Sequence, residues 1–224
     1  TATDGKTQID STLSESIYFV NPTGSLTIDA GNGDDLVAIT SVDAGFSTAL
    51  TINGGANSDT VALNVDVTFA AGKSLLVNAE SVSTGAGVEL ATSGGGFIAF
   101  TVDQATIDAT SSLASANTVT IKPQTVARPI NLGSKSVGSL SLTDGELDRI
   151  TAGAVQIGDP NSGNVTFQGQ ISLAVGFAPT LSLTTGGQII DAFAGTEIVV
   201  ANLQMSAVGT IGGAGDAMDI DTTT

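Results

Sequence analysis

Residues 26 to 39 read LTIDAGNGDDLVAI and residues 50 to 63 read LTINGGANSDTVAL, the same pattern displaced by twenty-four positions. Leu26/Leu50, Thr27/Thr51, Ile28/Ile52, Gly31/Gly55, Asp35/Asp59, Val37/Val61 and Ala38/Ala62 coincide. Each copy is a short alternating strand, a Gly/Asn/Asp turn and a second short strand. A unit this small cannot bury an apolar face alone, so it must stack on its neighbour. A weaker third copy begins at Leu75-Leu76-Val77-Asn78 and continues to Glu89. The residue that closes the first strand is Asp29, then Asn53, then Asn78, which predicts a polar ladder at one corner of successive coils.

The remainder of the chain keeps the rhythm. FIAFTVDQATIDAT (97 to 110), TVTI (118 to 121), PINL (129 to 132), GSLSL (138 to 142), GAVQI (153 to 157), GNVTF (163 to 167), QISL (170 to 173), TLSLT (180 to 184) and QII (188 to 190) are brief and alternate with period two. Gly, Pro, Asn or Asp bounds them. Spacing of about 8 to 10 residues puts one strand on each face of a three-sided coil of about two dozen residues. The expected fold is all-β, a parallel β-solenoid over residues 1–224. It has a Gly/Asp-rich first part (1–110), a loop or linker at 111–117 and a second part at 118–224. About nine coils at ~4.8 Å give a rod of roughly 45 Å. Two immunoglobulin-like β-sandwich domains are the alternative and need no translational repeat. Thr143-Asp144-Gly145-Glu146 is a capping-box pattern and predicts a single helical turn.

The 224 residues carry 22 acids against 6 bases, a formal charge of −16. Such a field repels phosphate backbones and anionic lipid and attracts divalent cations. Nucleic acid is not an expected partner, and no apolar run approaches the ~20 residues of a membrane helix, so membrane insertion is not expected. Cysteine and histidine are both absent, which removes Ser/His and Cys/His mechanisms, disulfides and imidazole or thiolate metal sites. Carboxylate pairs are the remaining catalytic option. Asp34 and Asp35 are adjacent and point to opposite faces of an extended chain, and Asp144, Glu146 and Asp148 straddle the predicted turn, so neither set converges. Arg149 is expected to pair with Asp148 or Glu146 at the surface.

The Asp-rich turns resemble the calcium-binding nonapeptide of RTX proteins, G-G-x-G-x-D-x-(apolar)-x. Residues 30 to 38 (AGNGDDLVA) differ from it by Ala for the first Gly, and residues 54 to 62 (GGANSDTVA) differ at the fourth place. In the third copy Glu89 takes the acidic position. This resemblance implies calcium held by Asp34, Asp35, Asp59 and Glu89. Stacked at ~4.8 Å, neighbouring carboxylates of such a row repel by about 0.9 kcal/mol in bulk water and about 3.5 kcal/mol at an effective dielectric of 20, and a cation removes that cost.

VARPINLG followed by GSLSLTDGELDRITAGAVQIG and SGNVTF, within Thr118 to Leu173, resembles the β-helical repeats of filamentous-haemagglutinin-like bacterial surface exoproteins. That resemblance implies a right-handed parallel β-helix exported to the cell surface and carries over no catalytic residue. The expected function is a non-enzymatic, extracellular structural or adhesive module of a surface stalk or filament, stabilised by calcium. Flanking domains or head-to-tail copies, and host or neighbouring-cell glycans, are the expected partners. A polysaccharide-binding or polysaccharide-degrading β-helix is the alternative.

Overall fold

A computed structural model describes residues 6–9, 17–174, 176–213 and 217–222. Eight strands form one long wall in chain order: Ser25–Asn32, Ala49–Ala56, Leu75–Thr84, Ile98–Thr106, Ser112–Lys122, Ile150–Ile157, Thr180–Thr185 and Asn202–Ala207. Every neighbouring pair on this wall is parallel. Leu26, Leu50, Leu75, Ile98, Val119, Val155, Leu181 and Leu203 lie in register. So do Ile28, Ile52, Val77, Phe100, Ile121, Ile157, Leu183 and Met205. The fold is a β-solenoid of about eight turns, and face-to-face antiparallel sandwiches are excluded by the parallel pairing.

The two aliphatic columns are the core. Because side chains alternate along a strand, a period-two sequence sends one set inward, and equal coil length superposes those sets on the next coil. Ile52, Val77, Ile98, Phe100, Val119, Ile121, Val155, Ile157, Leu181 and Leu183 are fully buried. At the two ends the columns open: Leu26, Ile28, Val37 and Ile39 in the first coil, and Leu203, Met205 and Ala207 in the last, are only partly buried.

Smaller walls close the coils. In the first half they are built from Leu36–Ile39, Thr60–Leu63, Val67–Thr68 and Glu89–Thr92. In the second half Ile130–Leu132, Val165–Phe167 and Ile189–Asp191 form one, and Ile171–Leu173, Ile198–Val200 and Ile220–Asp221 the other. The changeover falls in the coil between Val119 and Val155, where an added strand, Leu140–Leu142, pairs parallel with Ile130–Leu132. That enlarged coil is why about eight turns fill the chain rather than nine.

Residues 111–117 do not form a loop. They open the strand Ser112–Lys122, with Ser111, Leu113 and Ser115 buried and a bulge between Ser115 and Thr118 restoring register with Ile150–Ile157. The predicted helical turn is present at Asp144–Leu147: Thr143 accepts the Glu146 N–H, and the Glu146 carboxylate accepts the Thr143 N–H. The strand Lys6–Ile9 pairs antiparallel with Ile17–Val20 outside the stack. No helix among the described residues is long and apolar enough to cross a membrane.

Candidate functional site: an acidic row at one corner

The glycine corner of the first two coils sets the position of the acids. Gly31 and Gly55 stack in register at φ +106° and +114°, and a Cβ on Gly55 would lie 1.9 Å from the Gly31 carbonyl oxygen. Only glycine fits there. The corner delivers Asp35 and Asp59 to the mouths of Leu36–Ile39 and Thr60–Leu63. In the third coil Leu75–Thr84 runs through the corner as one strand, so Ser81 pairs with Thr60 and Glu80 falls beside Asp59. Ser81 also pairs with Gln104, which puts Asp103 next. The row is therefore Asp35, Asp59, Glu80, Asp103.

Its members are tied by charge-assisted bonds from backbone amides. Asp59 Oδ1 accepts the Asp35 N–H at 2.9 Å, and Glu80 Oε2 accepts the Asp59 N–H at 2.8 Å. Glu80 Oε1 accepts from Gln124 Nε2 at 2.8 Å, and Asp103 Oδ1 accepts the Thr125 N–H at 2.9 Å. Arg128 closes this end, its Nη1 lying 3.6 Å from Asp103 Oδ2. Among the described residues no base closes the opposite end. Asp59 is 1 % exposed, and both Asp59 Oδ2 and Asp35 Oδ2 are buried with no hydrogen-bond partner.

Of the four expected calcium ligands, the structure brings Asp35 and Asp59 together. Asp34 sits on the exposed side of the same corner, where its Oδ1 accepts the Ser58 N–H at 3.0 Å. Glu89 belongs to another wall: it is exposed, stands opposite Ser112, and its N–H donates to Asp66 Oδ1 at 2.8 Å. Glu80 takes the place expected for Glu89. Among the described residues no three acidic side chains converge as a ready metal cage.

The polar corner ladder is present as predicted, with Asn53 Nδ2 donating to Asp29 Oδ1 and Asn78 Nδ2 donating to Asn53 Oδ1 at 2.8 Å. Glu146 pairs with Lys135 at 2.6 Å instead of with Arg149, and it also accepts the Ile107 N–H. Lys135 further donates to the carbonyls of Ala105 and Ser141. Burial raises the neighbouring Asp148 carboxyl above its ordinary range and the Asp144 charge adds to this, while Arg149 opposes both. A groove of about 370 Å³ lies over this region, lined by Gln104, Thr106, Arg128, Lys135 and Ser136. Its two bases are already matched by Asp103 and Glu146, so the lining carries no unmatched charge and mixes polar groups with Ala105 and Val137.

Comparison with protein-family models, curated proteins and solved structures gives no match for this chain.

Proposed function

We propose that the chain is a non-enzymatic extracellular structural module of a bacterial surface stalk or filament, whose task is rigid extension and contact. The observation that carries this reading is the pair of aliphatic columns, in register through eight coils and open at both ends. Half-covered Leu26 and Ile28 at one end and Leu203 and Met205 at the other are completed by another coil. That coil comes from a flanking segment of a longer chain or from a further copy stacked head to tail. The strong negative charge keeps such a β-rich body from associating sideways. Immunolabelling of intact and permeabilised source cells with an antibody to the folded chain tests the location. Labelling of intact cells is expected, and labelling only after permeabilisation would overturn the proposal.

The groove beside Arg128 and Lys135 supports a contact with neutral surface glycans, since Gln104 and Thr106 offer amide and hydroxyl groups there. Calcium is supported at the corner by the two stranded oxygens. Asp35 Oδ2 and Asp59 Oδ2 would hold it, with turn carbonyls and water completing the six to eight oxygens that calcium takes. The ion would supply the positive charge that Arg128 supplies at the other end of the row.

A further inference from the structure

The groove over the enlarged coil has two unlike walls. One is the far end of the strand Ile98–Thr106, where Gln104 and Thr106 stand two residues apart on one face and Ala105 turns inward. Both outward side chains are exposed and make no hydrogen bond among the described residues. Arg128 lines the groove as well. Its Nε donates to the Asp103 carbonyl at 3.1 Å and its Nη1 lies 3.6 Å from Asp103 Oδ2, while Nη2 has no partner among the described residues.

The other wall is the tip of the loop that joins Ile130–Leu132 to Leu140–Leu142. Three serines brace it: the Ser139 and Ser141 hydroxyls each donate to the Ser136 carbonyl at 3.1 Å, and the Ser136 N–H donates to Ser141 Oγ at 3.0 Å. Lys135 anchors its base, with its three ammonium hydrogens taken by the carbonyls of Ala105 and Ser141 and by Glu146 Oε1. Gly138, at φ +84°, makes the turn, and Val137 before it is fully exposed. A braced loop thus holds an aliphatic side chain out in water at the rim of a polar groove, already in place for a small apolar group to cover.

A ligand suited to this lining is uncharged. An acid finds no unmatched base and meets the −16 charge of the chain, and an amine finds no carboxylate among the lining residues. A plain hexose can pair its hydroxyls with Gln104, Thr106 and Arg128 but has no methyl to lay on Val137, and among the described residues no aromatic ring lines the groove to receive a sugar face. An acetamido group carries both halves. Its methyl matches Val137, its carbonyl accepts from the N–H groups of Gln104 or Arg128, and its N–H donates to the Gln104 or Thr106 oxygen. We propose that the groove binds an N-acetylated sugar, with Val137 as the residue that separates it from a plain hexose. The proposal rests on the reading of the groove as a contact for neutral glycans and narrows that reading to one class of sugar.

Amide NMR of the full chain, titrated with equally long and equally linked oligomers of N-acetylglucosamine and of glucose, tests it. Shifts are expected at residues 104–106 and 136–138, with the buried Ile52 and Val77 unmoved. The acetylated oligomer should bind at least about fourfold tighter, the value of one buried methylene. Val137→Ser should bring its affinity down to that of the glucose oligomer and leave the latter unchanged, while Gln104→Ala should weaken both. Each of these side chains is exposed, so neither change touches the core, and unmoved Ile52 and Val77 amides in the variants verify the fold. Equal affinity for the two oligomers at these amides, or a preference that survives Val137→Ser, would overturn the acetamido assignment and leave the neutral-glycan reading standing. No shift with either oligomer would overturn both.

Discussion

Glu80 stands beside Asp59, its Oε2 accepting the Asp59 N–H at 2.8 Å, while Glu89 sits on a different wall. The consequence is a division of labour between two glutamates nine positions apart. Glu80→Ala removes the acceptor for both the Asp59 amide and Gln124, and a loss of about 1–3 kcal/mol in urea unfolding is expected. Exposed Glu89→Ala should stay within ~0.5 kcal/mol. Equal effects from the two would contradict the placement of the row.

The stacked glycine corner makes its own demand. Gly55→Ala meets the Gly31 carbonyl and a left-handed backbone together, so a loss of at least about 3 kcal/mol is expected. Gly138 also has a positive φ, +84°, but a Cβ there would meet nothing within 4 Å, so Gly138→Ala should lose only about 1 kcal/mol. Comparing the two denaturation midpoints separates the clash from the backbone strain.

Calcium should raise the melting temperature of the wild-type chain and leave Asp59→Asn unmoved, since that change replaces one stranded oxygen by an amide. Thermal melts in calcium and in chelator decide it. Superposed wild-type curves would remove the ion from this corner.

Asp159 makes stability depend on pH at the acid end. Burial pulls its carboxyl up, but the Asn161 N–H at 2.9 Å, the Lys122 ammonium at 3.2 Å and the Ser162 hydroxyl at 3.0 Å together hold it below its ordinary value of 3.8. Its contribution is present above pH 3.8 and is lost as the pH falls through the lower folded value. Both partners are partly exposed, so Asp159→Asn should lose about 1 kcal/mol or less at pH 7, and that loss should shrink as the pH falls through the lower folded value. Melting curves of the two proteins should converge on acidification, and a constant gap would count against the bond set.

The repeat unit, its stacking and the Asn ladder were legible because Leu26 and Leu50, and Asp29 and Asn53, are separated by the same coil length. Thr143 and Glu146 were legible because a capping box is complete within four residues. Glu80 was not. Leu50 pairs with Leu75 twenty-five residues on, but Val61 pairs with Val82 only twenty-one on, since the third coil lacks the glycine turn. The glycines of Thr84-Gly85-Ala86-Gly87-Val88-Glu89-Leu90 draw the acidic place to Glu89, thirty residues after Asp59, and nothing in the alternation of LLVNAESVST marks the shortened corner. Residues 111–117 misled through composition: small polar residues read as linker, although Ser111, Leu113 and Ser115 already alternate inward.

Methyl and amide nuclear Overhauser contacts along Leu26, Leu50, Leu75, Ile98, Val119, Val155, Leu181 and Leu203 examine the continuous stack most directly. A single parallel solenoid gives contacts between each of these residues and the next in that series, from Leu26 through to Leu203, at the ~4.8 Å spacing of neighbouring strands. A break in the series, or cross-strand contacts of the antiparallel kind between segments about ten residues apart, would contradict it.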